Sequence, residues 1–320
     1  MLIYKYILGT KEILKDMDTQ QILVNQEKMV DIFRDNRWKN GMNIYQREKI
    51  ITEFFYYNIW QQINPENRIY LLQEFENIQA KKQERDAYRI IVLSEEYNFD
   101  QDFFDMKVDY VAKKIYLRRN YIEKGIKQII TKYGIEKCDI SNRLNAELLD
   151  GIIHEAYHIC SKQEIREKIR TKKPLNIDEK EIILWLKMQF TTNKQNNNQI
   201  IKNQRYLYRM KPQEYYAFKV AKHSVDIIFN KLERKFGIDI GYQEYLQAYY
   251  KEIHELEKLY EKDKNETLYY EEIYKRIFLE NIERFISRTG KKGEKMLSIL
   301  GINQSNYQIY NSEIGENIEK

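Results

Sequence analysis

"LLDGIIHEAYHIC", residues 148–160, holds two of the chain's four histidines, His154 and His158, with Glu155 directly after the first. On a helix each residue turns by about 100°, so positions four apart lie within about 40° of each other, one turn along. Both imidazoles can therefore address one ion, with Glu155 beside them. This is H-E-x-x-H, two nitrogen ligands for Zn²⁺ and a carboxylate that serves as general base toward water. The bland reading is a pair of surface histidines among acidic neighbours. Leu148, Leu149, Ile152 and Ile153 argue against it, because they make this helix buried and a buried imidazole pair without a purpose is costly.

Two imidazoles do not complete a site. Downstream, "YLYRMKPQEYYAFKVA" (206–221) offers a third ligand. Pro212 sets a helix start, Glu214 falls in its first turn, and Ala217 and Ala221 share its face at +3 and +7. Small residues there let this helix approach the histidine helix closely. Glu214 is too distant in sequence to be a local ligand, but it is within reach of a second helix packed antiparallel.

The composition bounds the rest. The chain has 320 residues, 42 % hydrophobic and 32 % charged, which is globular rather than disordered. Its 27 Tyr and 13 Phe stand against only 11 Gly and 3 Pro, so long helices with short connections are expected. The 54 basic residues are nearly offset by 49 acidic ones, leaving +5. That is not the concentrated field of a nucleic-acid binder, and no strong nucleic-acid binding is expected. Cys138 and Cys160 form no spaced framework, which points to a reducing, cytoplasmic setting. The opening "MLIYKYILGTKEILKD" is too short for a membrane span and lacks a long apolar centre, so no membrane association is expected.

No internal repeat is visible. Residues 44–86 read as helical, with Asn64 as an N-cap, Pro65 in the first position, and Ile69, Leu72 and Phe75 at helical spacing. "YRIIVLSEEYN" (88–98) and "MKVDYVAKKIYLRRNYI" (106–122) are β-rich, the second reading as two short strands joined at Ala112–Lys114. Helical patterning resumes near 120 and continues, with breaks, to about 288. Pro174 precedes the helical "LNIDEKEIILWLKMQF", the polar "FTTNKQNNNQIIKNQ" (190–204) reads as a loop, and the end as a loosely held tail. The fold class is α+β, helix-dominant.

With H-E-x-x-H on one helix and E-x-x-A on another, the chain resembles the gluzincin branch of the zincin metallopeptidases. More narrowly, about residues 50–230 are similar to zincin-like proteins of phages and bacterial mobile elements. Those carry a strand ending in Asn, then "liHE…H", then Y-x-x-x-P-x-E-x-x-A; here these are "KIYLRRN", "IIHEAYH" and "YRMKPQEYYA". Their "EN…A…R" helix is echoed by "EFENIQAKKQER" (74–85). The resemblance implies His154, His158 and Glu214 as zinc ligands, Glu155 as the base, and "IYLRR" (115–119) as an edge strand along which an extended peptide lies. It implies a zincin-like core over 86–235, with a helical region at 1–85 and a helical C-terminal region and polar tail at 236–320. Two positions depart: Tyr216 stands where an acidic residue is often found, and Ser161 where a polar Gln often follows the second histidine.

Two function classes follow. One is a zinc-dependent hydrolase, a metallopeptidase cleaving a peptide bond in a protein or peptide substrate. The other is a catalytically inactive zincin-like binding protein, such as a mobile-element inhibitor of a host defence complex, since fold does not fix function. Among other candidates, His223 lies nine residues past Glu214 and should face elsewhere, and His254 reads as a surface residue. Asp150 is either solvated or orients an imidazole. Tyr157, Tyr206, Tyr208, Tyr215 and Tyr216 offer phenols for an oxyanion, among many tyrosines. "RTGKKGEK" (288–295) lacks P-loop spacing and reads as a basic turn.

Overall fold

The computed structural model describes residues 41–93, 106–123, 125–131, 134–192, 208–261 and 270–302, together with Val30 and Arg34. They form a helix-dominant α+β structure with a small mixed sheet. From residue 41 onward, the chain runs through helices α1 (Ile44–Glu53), α2 (Tyr57–Trp60) and α3 (Pro65–Lys82). Two of these starts are chemically marked. Asn43 and Gln46 exchange side-chain-to-backbone hydrogen bonds at 3.0 Å, and Asn64 accepts the Asn67 N–H at 2.8 Å with Pro65 in first position. Along α3, Leu71, Leu72, Phe75 and Ile78 are fully buried, and Phe75 meets Phe55 edge-on at 5.9 Å.

Helix α3 also carries the device that docks the sheet. The Arg85 guanidinium grips Glu76 with two bonds of 2.6 and 2.8 Å, and the same carboxylate accepts the Tyr88 N–H at 2.9 Å. Gln73 donates to the Tyr88 carbonyl at 3.0 Å and accepts the Ile90 N–H at 2.8 Å. The "EFENIQAKKQER" segment is therefore a clasp on the incoming strand β1 (Arg89–Leu93).

Strands β2 (Met106–Asp109) and β3 (Lys114–Arg118) complete a sheet of order β1-β3-β2, with β1 parallel and β2 antiparallel to β3. Asp109 Oδ1 accepts the N–H groups of Val111 and Ala112 to shape the turn between them. Strand β3 is the centre of this sheet, so the expectation that "IYLRR" is an edge strand is corrected. Both sides of its backbone ladder are already paired, which leaves no ladder for an added peptide. Short α4 (Arg119–Glu123) follows. A second correction comes next: Ile126–Thr131 (β4) and Gly134–Asp139 (β5) form an antiparallel hairpin where helix was expected.

After a 3₁₀ turn at Ser141–Arg143 the chain enters α5 (Leu144–Thr171), then α6 (Ile177–Thr192), α7 (Pro212–Phe236), α8 (Ile240–Glu261), α9 (Tyr270–Thr289) and α10 (Lys291–Ile299). The loop expected at 190–204 falls largely outside the described residues, as do the tail from 303 and the opening segment. No helix among the described residues is long and apolar enough to cross a membrane.

The chain divides into two compact units, the first holding the described residues up to Ala156 with His223–Tyr245, the second Tyr157–Lys222 with the described residues from Leu246 on. In the first, Asp239 caps α8 by accepting the Tyr242 N–H at 2.8 Å, and it also accepts the Tyr57 N–H at 2.6 Å and the Asn145 side chain at 3.1 Å. Gly241 is required there: a Cβ would overlap the Asn142 carbonyl and the Asn145 side chain. Met106 of β2 similarly occupies the space that a Cβ on Gly151 would need, one turn before His154. In the second unit, Leu184 and Met188 of α6 pack with Phe278, Ile282 and Phe285 of α9 and Leu297 of α10, while Met210 and Tyr215 pack with Ile273, Tyr274 and Ile277.

Candidate metal centre

Helix α5 runs unbroken through 144–171, so His154 and His158 stand one turn apart on one face. Leu148, Leu149 and Ile152 are fully buried, and His154 is 8 % exposed. Helix α7 begins at Pro212, and the Glu214 and Tyr215 N–H groups both reach the Lys211 carbonyl, at 2.9 and 2.8 Å. Glu214 thus sits in the first turn and is 5 % exposed, with Ala217 and Ala221 fully buried below it. Within the second unit the Glu214 carboxylate lies 3.4 Å from His158 Nε2. One ligand atom from each of His154, His158 and Glu214 falls within 4.8 Å of the others.

That spacing tests whether a metal fits. Two ligands at about 2.0–2.2 Å from a tetrahedral ion stand about 3.3–3.5 Å apart. The His158–Glu214 separation falls there and is longer than an ordinary N–H···O bond of about 2.7–3.2 Å. Side-chain adjustment of at most about 1.5 Å brings the widest permitted pair to the same separation. The donors therefore fit an ion. Two imidazoles and a carboxylate suit Zn²⁺ and also iron(II), so the donor set does not single out one metal. Glu155 is half-buried, about 100° around the helix from His154. Burial lowers the affinity of the Lys211 amine for its proton, against the Glu214 charge, which raises it.

The other candidates are dispersed. His223 is exposed on α7, and His254 is a surface residue whose side chain is 64 % exposed, 3.8 Å from Glu257. Asp150 accepts the Tyr245 hydroxyl at 3.0 Å. Ser161 Oγ lies 3.4 Å from the His158 carbonyl, a contact with helix backbone. Cys160 lies two residues past His158 on α5, a spacing that does not share a helix face. Tyr157 meets the His158 ring edge-on at 6.2 Å, and Tyr208 lies under the Lys211 amine, 4.9 Å from its ring centre. Tyr206 lies outside the described residues. Of "RTGKKGEK", read as a basic turn, only Gly290, at φ 53, lies between α9 and α10; Arg288 and Thr289 end α9, and Lys291 to Lys295 open α10.

One set of residues was missed by sequence reasoning. Glu181 on α6 is 4 % exposed and receives the hydroxyls of Tyr216, at 2.8 Å, and Tyr274. Burial pushes its carboxyl above the usual range, although both hydroxyls oppose this. Tyr215 stacks on Tyr274 with ring centres 3.8 Å apart. In "DEKEIILW" Glu181 follows three charged residues and reads as one more solvated charge, with only the apolar Ile182 and Ile183 after it to hint otherwise. Nearby, Arg209 is buried against Glu252 at 2.7 Å, its guanidinium 3.9 Å from the Phe218 ring centre. No protein-family model, curated protein or solved structure matches this chain.

Proposed function

We propose that the protein is a zinc-dependent hydrolase of metallopeptidase type on a zincin-like core, with His154, His158 and Glu214 holding the ion. The observation that carries this reading is the 3.4 Å approach of Glu214 to His158, with His154 one turn away, at a separation suited to shared coordination. Zn²⁺ bound there supplies a Lewis acid that acidifies water and polarises a carbonyl. Glu155 is the base. Its carboxylate takes a proton as the water oxygen bonds to the peptide carbonyl carbon. It returns that proton to the amide nitrogen as the C–N bond breaks, and so ends as it began. The half-burial of Glu155 and its place directly after His154 on α5 support that role.

The test is Glu155→Gln, which is nearly isosteric and cannot take the proton. It should keep zinc and lower the cleavage of a degenerate peptide library, read as new N-termini by mass spectrometry, by roughly 10²- to 10⁴-fold. Cleavage by zinc-loaded wild type that survives in Glu155→Gln contradicts the role of Glu155. A zinc-loaded wild type that cleaves nothing, with a biological effect that Glu155→Gln retains, favours the inactive binding protein.

A further inference from the structure

We propose that Glu181, Tyr216 and Tyr274 are positioning residues that fix Glu214 for the metal. The inference rests on the metal reading above. Glu214 stands in the first turn of α7, where backbone groups lack a full set of intrahelical partners and helices fray. A ligand set needs placement to about 0.5 Å, more than a free first turn provides. Two residues on, Tyr216 Oη reaches Glu181 Oε2 at 2.8 Å, and Tyr274 Oη donates to the same oxygen. Between them Tyr215 lies flat on Tyr274, with ring planes 10° apart. The first turn of α7 is thereby tied to α6 through Glu181 and to α9 through Tyr274. One further turn along, Lys219 bonds Glu271 of α9 at 2.7 Å, an exposed pair that adds direction more than strength.

The chemistry of the tie supports a positioning role. A buried carboxylate is costly, and aromatic packing alone would fill the same space with less penalty. Two phenols converging on one oxygen instead set a direction, because each hydrogen bond fixes the ring that carries it and hence the backbone turn below. Partners that orient a ligand without touching the ion alter metal affinity by about 10- to 100-fold when removed.

The experiment measures zinc affinity of the full chain by competition with a chromophoric chelator, alongside circular dichroism to establish folding. Tyr216→Phe and Tyr274→Phe each remove one hydroxyl that reaches Glu181 and keep the ring. Each should bind zinc about 10- to 100-fold more weakly. Tyr270→Phe removes a hydroxyl from the same aromatic cluster that does not engage Glu181 and should bind as wild type. Undiminished affinity in a folded Tyr216→Phe or Tyr274→Phe overturns this inference alone. An equal loss in Tyr270→Phe also overturns it, since the effect would then be general loosening. Absence of zinc from the wild type overturns the metal reading and takes this inference with it.

Discussion

Removing the charge of Glu76 should be among the most damaging single-atom changes in the first unit. Its side chain and that of Arg85 are 0 % and 1 % exposed. Three donors, the Tyr88 N–H and two guanidinium nitrogens, converge on its two oxygens. In Glu76→Gln one oxygen becomes an NH₂ that faces a donor. The guanidinium is left with Gln83 Oε1 at 2.6 Å and the Asp86 carbonyl at 3.1 Å, but no opposite charge. Breaking a buried pair in this way costs about 3–5 kcal/mol. At roughly 2–4 °C per kcal/mol, the lower end of that range lowers Tm by about 6–12 °C. Urea unfolding followed at 222 nm gives the free energy directly. The double variant Glu76→Gln/Arg85→Met should recover at least half of the loss, because it leaves no buried charge while the remaining oxygen still accepts the Tyr88 N–H. A loss below about 1 kcal/mol in the single variant, or a double variant no better than the single, would refute the clasp.

Two further perturbations probe the same unit. Gly241→Ala drives a methyl into the Asn142 carbonyl and the Asn145 side chain, so α8 must move off α5, and a loss of about 2–3 kcal/mol is expected in the same urea assay. Asp239 gives a pH signature. Burial raises its carboxyl above the ordinary range, against the donors Tyr242, Tyr57 and Asn145. A raised folded value means that the folded state holds the proton to higher pH than the unfolded chain. Its contribution is then fully present below the ordinary carboxylate range and is lost as pH rises through the raised value. Asp239→Asn should flatten that part of the stability–pH curve, and an unchanged slope would show that Asp239 does not titrate there.

What the sequence made legible was local. Asn64–Pro65 and Pro212 mark helix starts because capping chemistry acts within four residues. The spacing of His154 and His158 carried over intact because one helix holds both. Strands β2 and β3 were readable as two β-rich runs joined near Ala112–Lys114, but the Asp109 turn was not read, and the central place of β3 depends on β1, some 20 residues earlier; nothing in "IYLRR" encodes its neighbours. The hairpin at Ile126–Asp139 was hidden because "IKQIIT" and "GIEKCD" use Ile, Lys, Gln and Glu, which helices also accept, with Gly134 as the lone breaker. Buried acids were the deepest omission. Glu74, Glu76, Glu179 and Glu181 read as solvated charges, yet each is 5 % exposed or less. Arg47 serves Glu74, Arg85 serves Glu76, Lys168 serves Glu179, and Tyr216 with Tyr274 serves Glu181. Those partners stand from about ten to more than ninety residues away, beyond any helical period.

Elemental analysis of the wild type, purified without chelators, beside His158→Ala tests the metal site most directly. Three protein ligands predict about one zinc per chain in the wild type. His158→Ala removes the group that Glu214 approaches at 3.4 Å, and two remaining ligands should lose most of the ion. A wild type that carries no transition metal, and takes up none when zinc is supplied, would contradict the site and the hydrolase reading built on it.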